Sequence, residues 1–167
     1  MKGAGIMKAI TIYQPWANLI AQGEKTIETR SWLTNYRGPL AIHAAKKAPS
    51  FCKTLTNIDT RFNHALTGSD EWNPDIWDTL PFGAIVTICT LVDCKKIQIT
   101  GKTEQILNPQ DLSEKELAFG DYTLSRYAWI LEDIQHLITP IPTKGKQGLW
   151  DWTVPVYDNY LGRGIMV

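Results

Sequence analysis

Cysteine is scarce in this chain, with three among 167 residues, and Cys52, Cys89 and Cys94 form no CxxC pair. An odd number leaves one thiol unpaired in any arrangement, which excludes a disulfide scaffold and fits small buried thiols in a reduced compartment. Long apolar runs are missing too. Nothing approaches the roughly 18 residues of a membrane helix, and the opening MKGAGIMKAI lacks the roughly 7–15-residue apolar core of a secretory signal. An excess of either charge is also absent, since 17 basic residues balance 17 acidic ones. A whole-surface basic field for nucleic acid is thereby excluded, and any recognition of an anion has to come from a local patch. His43, His64 and His136 are scattered without metal-ligand spacing, so no metal site is expected. No GxSxG, phosphate loop or GxGxxG occurs, and no cofactor is expected.

What is present is an ordinary globular composition, 44% apolar and 20% charged, long enough for one real core. The expectation is a flexible tail over residues 1–7, in which Met7 offers an internal start, followed by a single soluble, cytoplasmic domain over 8–167.

The patterning predicts a strand over Lys8–Tyr13 and a short helix in QPWANLIAQG, with Pro15 in its first turn and Gly23 where a C-terminal cap belongs. KTIETR and LAIHAA read as further strands. Between Ser50 and Leu66, Phe51, Leu55, Ile58, Phe62 and Leu66 recur at helical spacing. Residues 67–81 read as an acidic surface loop. GAIVTICTLVDC reads as the central strand, and Ser113 with Glu116 has capping-box spacing before a short helix. RYAWILEDI is another strand, and the Pro/Gly/Lys loop PIPTKGKQG leads to a last one. Five or six short strands with a few helices imply a mixed α+β fold built as a small β-barrel with peripheral helices. Regular parallel βα alternation is not supported.

The chemistry concentrates in GEKTIETR, residues 23–30. In an extended chain Glu28 and Arg30 share a face with Thr26, while Ile27 points to the core. Strict alternation puts Lys25 on the wrong face, but it stands at a helix–strand junction where a turn can swing it back. A carboxylate flanked by two cations can hold a planar polar ligand, accepting where they donate. Beyond the motif, Arg37, Lys46 and Lys47 continue the basic stretch, with Trp32, Tyr36 and His43 interleaved. Cations for phosphates and aromatic faces for bases are what single-stranded or unpaired nucleotides require. Lys144 and Lys146 sit in a second, Gly-flanked basic loop. Of seven tryptophans, Trp16, Trp129, Trp150 and Trp152 fit core patterns, and Trp32 is the candidate stacking platform.

QPWANLIAQGEKTIETRSWLTNYRGPLAIHAAKK, joined by GDYTLSRYAWILEDI and KGKQGLWDW, resembles the ASCH domain, the homology domain of activating signal cointegrator 1, within the PUA-like superfamily. The family's GxKxxExR is met by Gly23, Lys25, Glu28 and Arg30. Residues 51–81 and about 95–117 have no counterpart in these motifs. The resemblance implies a PUA-like barrel with a charged cleft at one mouth and an RNA-related or other nucleic-acid role. It places Lys25, Glu28 and Arg30 at the cleft; joined to the residue pattern, Gln14 and Trp16 extend its wall, Trp32 or Tyr36 stacks, and Arg37, His43, Lys46, Lys47, Lys144 and Lys146 support the ligand.

The expected partner is RNA, single-stranded DNA, or a nucleoside or nucleotide; no membrane partner is expected, and the sequence does not fix the oligomeric state. An alternative is a hydrolase on an N4-acetylated cytidine or an RNA phosphodiester, with Lys25 and Glu28 as its catalytic pair. Some small bacterial proteins of the resembled family look like amidohydrolases that use a lysine, at the position of Lys25, a threonine and a glutamate. The threonine's position is Glu28 here, and Thr26 and Thr29 are the neighbouring hydroxyls. A further alternative is a protein-interaction module.

Overall fold

β1 (Ile6–Ile12) alternates its side chains between two buried layers, Met7 and Ala9 on one face, Ile10 and Ile12 on the other. That double burial explains why the strand reads as nearly continuous apolar sequence. A computed structural model describes residues 5–101 and 103–155 of the chain. β1 takes in Ile6 and Met7, which pair with Thr153 and Trp152, so these two residues of the tail expected over 1–7 are strand. Residues 1–4 of that tail, and residues 156–167 of the expected domain, lie outside the described residues.

α1 (Trp16–Ala21) follows and ends in a turn that the sequence signalled. Gly23 adopts φ +75°, its amide donates to Ile20 O, and the Glu24 amide donates to Leu19 O. This pair of bonds is the Schellman motif, which satisfies carbonyls the helix would otherwise leave open. β2 (Ile27–Arg30) and β3 (Gly38–Ala44) come next. The helical stretch after Ser50 divides at Asp59 into α2 (Ser50–Ile58) and α3 (Thr60–Thr67). Asp59 is extended and its carboxylate caps α3 by accepting from the Arg61 amide. The surface loop expected over 67–81 contains a further turn of helix, α4 (Ile76–Thr79), because Ile76 and Leu80 have an apolar cluster to enter with Phe62 and Phe119.

β4 (Ala84–Ile97) is the long central strand, followed by the two-residue β5 (Ile106–Leu107), α5 (Glu114–Ala118), β6 (Tyr127–Pro142) and β7 (Leu149–Thr153). The strands form one sheet in the order β2-β6-β4-β3-β1-β7, with β5 pairing β4. Most pairs are antiparallel; β1–β3 and β4–β5 are parallel. The fold class is the mixed α+β, barrel-like one expected, but with seven strands and two very long ones in place of five or six short ones. β6 runs through Pro140 to Pro142, which the sequence assigned to a loop; Pro142 sits at its final pair, against Ala84, where little of the ladder is lost. Register shifts along β4–β6 at three points, and once along β3–β4, curl the sheet into a half-barrel.

One layer of core lies under α1, around Ile10, Leu40, Ile42, Val86, Leu91 and the fully buried Trp129. The other face carries Ile85, Ile88, Leu137, Trp150 and Trp152. All three cysteines are free and buried, as small apolar residues, and burial pushes the Cys89 thiol up to about 12. No helix of the described residues is long and apolar enough to cross a membrane.

Candidate functional site

The turn after α1 aims the motif. Because the Glu24 and Lys25 amides both bond back to Leu19 O, the chain reverses within three residues and β2 begins only at Ile27. Alternation therefore does not extend to Thr26, which stands exposed and turned to Glu116, apart from the face shared by Glu28 and Arg30. Lys25 swings to that shared face. Lys25, Glu28 and Arg30 all line one cleft of about 410 Å³.

Its other walls come from distant parts of the chain. Tyr13 and Trp16 flank the motif, Leu55, Asp59, Arg61 and Phe62 come from α2 and α3, and Phe119, Asp121 and Arg126 follow α5. Trp16 meets Phe62 edge-on at 6.2 Å, and Phe62 meets Phe119 at 4.9 Å, so the floor is a set of locked aromatic rings. Of the two stretches without a counterpart in the family motifs, residues 51–81 supply one wall of the cleft, through Leu55, Asp59, Arg61 and Phe62.

The charges are strongly constrained. Lys25 is 1% exposed, and its Nζ lies 3.2 Å from Glu116 Oε1. The same carboxylate accepts from the Thr26 amide at 3.0 Å, from Thr26 Oγ1 at 3.2 Å and from the Tyr122 hydroxyl at 2.8 Å. Burial and the Glu116 charge push the Tyr122 hydroxyl far above its ordinary value, which keeps it a neutral donor. Glu116 does only half of what its capping-box spacing suggested. Its amide donates to Ser113 Oγ, but its side chain goes to Lys25.

Glu28 is also buried, 8% exposed, and Arg30 Nη1 approaches it at 3.4 Å. Burial raises its pKa, and that outweighs the opposing pull of Lys25, Arg30 and Arg126. Arg30 keeps donors to spare and stacks 5.9 Å from the Trp32 ring. Arg126 donates from Nη2 to Thr29 O at 3.0 Å; its buried Nε lies 3.3 Å from Asp121 Oδ2 but is too poorly aligned for a hydrogen bond. Arg61 grips Asp59 with two bonds, 3.0 and 2.7 Å, holding that carboxyl below its usual range.

The remaining expected site residues lie elsewhere. Gln14 is fully buried, donating to Pro81 O and accepting from the Asn18 amide, so it ties α1 to the chain before β4. Trp32 is not a free platform, because it packs edge-on against Trp129 at 4.7 Å. Tyr36 donates to Pro39 O, and Arg37 to Asp93 and two carbonyls. His43 is buried under Trp150. Lys46, Lys47 and Lys144 are exposed and do not line the cleft.

Lys146 borders a neighbouring concavity of about 400 Å³, which shares Tyr13 and Arg30 with the cleft. Glu116, Tyr122, Arg61 and Arg126 were missed as site residues. The one signal for Glu116 in the sequence was a capping spacing, which speaks of helix structure and not of a partner. No cluster of His, Cys, Asp and Glu suited to a metal ion occurs among the described residues.

Comparison with known proteins gives a consistent result. The family model for the ASCH domain matches residues 10–141. Activating signal cointegrator 1 of Homo sapiens is 27% identical over 141 residues, 84% of this chain and 21% of that protein, and the Mus musculus protein gives the same figures. The chain spans about a fifth of the length of these curated relatives. Among solved structures, a tyrosine variant of the ASCH protein from Zymomonas mobilis aligns with a TM-score of 0.41 at 18% identity, over 80% of this chain and 73% of that one.

Proposed function

The chain belongs to the ASCH domain family, and from that premise we propose that it binds an unpaired base of RNA, or a related nucleoside, in the cleft around Glu28. One observation carries this reading: a buried carboxylate beside an arginine with spare donors, in a 410 Å³ cleft floored by aromatic rings. Small-molecule sites run to roughly 300–1,000 Å³ and combine apolar walls with a few placed polar groups. A base has a flat apolar face and an edge carrying both donors and acceptors. Glu28 accepts from such an edge and Arg30 donates to it.

Charge balance refines the ligand. The lining cations Lys25, Arg30, Arg61 and Arg126 face the acids Glu28, Asp59 and Asp121, and Glu116 neutralises Lys25 from behind. Such a cleft has little net attraction for a bare phosphate, and Lys25 is too buried to reach one. It suits a neutral, polar heterocycle. A duplex hides these edges by stacking and pairing, whereas single strands and loops present them.

The test is fluorescence or calorimetric titration with nucleosides and unpaired oligoribonucleotides, beside Glu28→Gln. Binding that weakens about tenfold or more in the variant is expected, since hydrogen bonds to a charged group contribute roughly 1.5–3 kcal/mol. No affinity for any nucleoside or single strand at low salt removes the reading.

A hydrolytic reading has one observation in its favour, the Lys25–Glu116 pair with the Thr26 hydroxyl on the same carboxylate. The threonine position of the amidohydrolases is filled by Glu28, and Thr26 faces away from the cleft, which leaves Thr29 as the hydroxyl residue on its wall. Incubation with N4-acetylcytidine, with Thr29→Val as control, tests it. Absence of acetate release, or release unchanged in the variant, removes this mechanism.

A further inference from the structure

We propose that the ligand is a nucleotide and not a bare nucleoside: its base enters the cleft and its phosphate rests in the adjoining concavity between Arg30 and Lys146. The proposal builds on the base-binding reading of the cleft and adds a second subsite to it.

The two concavities differ in charge while sharing a wall. The cleft is lined by four cations and three acids. Its neighbour is lined by Thr11, Tyr13, Arg30, Lys146, Gln147 and Gly148, with two cations and no acid. An anion is therefore repelled by nothing in the second space and has little reason to prefer the first. Arg30 stands in both. Its guanidinium has five donors in a planar fork, and Glu28 engages it from one side at 3.4 Å, a long contact that leaves the rest of the fork free. Phosphate oxygens match that fork. Tyr13, half exposed, also stands in both spaces and offers a ring for the sugar to cross.

Lys146 is held for this task by its surroundings. Its carbonyl accepts from Thr11 Oγ1 at 2.8 Å, and Trp150 Nε1 in turn donates to Thr11 Oγ1 at 3.3 Å. Its ammonium lies 5.7 Å from the Trp150 ring centre, and it makes no ion pair among the described residues. Lys144, two residues earlier on the same loop, does not border the concavity. The backbone is thus pinned at a strand of the sheet while the charge stays available. A base seated against Glu28, a sugar over Tyr13 and a phosphate between Arg30 and Lys146 follow one another along a single surface. The shared chemistry, a base with an adjacent phosphate, belongs both to a free nucleoside monophosphate and to an unpaired residue within a strand.

Calorimetry on the full chain distinguishes these cases. The probes are the four ribonucleosides, their 5′- and 3′-monophosphates, ribose 5-phosphate, and trinucleotides centred on the preferred base. One monophosphate isomer is expected to bind about tenfold tighter than its nucleoside at low salt. That advantage should shrink as salt rises, with a slope of about one contact. Lys146→Ala should cut most of the monophosphate's advantage over the nucleoside, leaving the share that Arg30 supplies, whereas Glu28→Gln should weaken nucleoside and monophosphate alike. A trinucleotide that binds tighter than the monophosphate assigns the site to a strand, and equal affinity assigns it to the free nucleotide; both support the proposal. Nucleosides bound without any phosphate advantage, or an advantage undiminished in Lys146→Ala, overturn the phosphate subsite and leave the base reading standing. Ribose 5-phosphate bound as tightly as every monophosphate, with Glu28→Gln silent, overturns the base reading and the proposal with it.

Discussion

Exchanging Lys25 for methionine keeps the unbranched apolar stem of the side chain, one atom shorter, and removes its charge. Both members of the pair are shielded, Lys25 at 1% and Glu116 at 10% side-chain exposure, so water cannot step in for the missing ammonium. Glu116 would keep three donors, Thr26 N, Thr26 Oγ1 and the Tyr122 hydroxyl, but it would be a buried anion without a countercharge. Removing one partner of a buried pair costs about 3–5 kcal/mol. A chain of this size gains or loses about 2–4 °C per kcal/mol, so the melting temperature should fall by about 6–20 °C. The second arm is decisive. Lys25→Met with Glu116→Gln replaces both charges, leaves an amide oxygen for the Thr26 donors, and should recover most of the loss, because neutral replacements of whole buried pairs are often tolerated. Urea unfolding of the wild type, two single variants and the double variant closes the cycle, with a coupling of at least about 1.5 kcal/mol expected. Additive single effects, or a Lys25→Met cost below about 1 kcal/mol, would show that the pair is not the link between the motif and α5.

Three further outcomes follow from the same geometry. Glu28→Gln should stabilise the ligand-free protein at neutral pH by about 0.5–2 kcal/mol while weakening the ligand, the usual exchange at a binding site. Burial raises the Glu28 pKa above 4.5, so the native state takes up that proton more readily than the unfolded one, and the variant's advantage in urea midpoint should shrink as pH falls to 4.5. An advantage that grows on acidification contradicts this. His43 works in the opposite sense. Burial lowers its pKa below 6.5 against the opposing effect of the Thr143 carbonyl, so the unfolded chain gains the proton first and stability should fall as pH drops through 6.5. The difference between wild type and His43→Gln should carry that slope, and a flat difference refutes it. Gly145→Ala would drive a methyl into His43 Cε1 and place it 3.0 Å from Thr11 Oγ1. With His43 clamped between Trp150 and Thr143 O, about 1–3 kcal/mol should be lost in thermal or urea unfolding.

The motif was legible because its parts are neighbours in the chain: one Schellman turn and one short strand set three charges on one wall. Periodicity likewise exposed β1, β4 and the first half of β6, whose faces are buried or half-buried along most of their length. Three kinds of information were not in the local pattern. Glu116 stands 91 residues from Lys25, and nothing in either segment marks the other as its partner. The fate of an aromatic ring depends on what lies opposite: Trp32 met Trp129 and became wall instead of platform. Clustered cations in sequence also need not converge, since a strand sends alternate side chains to opposite faces and loops fan them out. Lys146 borders the concavity beside the motif, whereas Lys46, Lys47 and Lys144 line neither that space nor the cleft.

These misses have a common physical root, and it bears on how the cleft works. A neutral chain can recognise a nucleotide only by sorting its charges in space. Here the sorting is done by burial. Lys25, which sequence spacing offers as a phosphate ligand, is instead neutralised by Glu116 beneath the cleft, where it fixes α5 and with it Phe119 and Asp121 against β2. Its charge still reaches Glu28, as one of three cations that hold down a carboxyl which burial alone would push higher still. Lys25 therefore helps keep Glu28 a better acceptor than its burial alone would allow, and in the proposed function it does so without competing for the ligand. Arg30 and Lys146, both outside that pair, retain donors for an anion. On the proposed reading, a family motif that looks like three equivalent binding charges divides into a buried brace, an acceptor and a bridge. Removing the brace should cost stability first, removing the acceptor should cost the base, and removing the bridge should cost base and phosphate together.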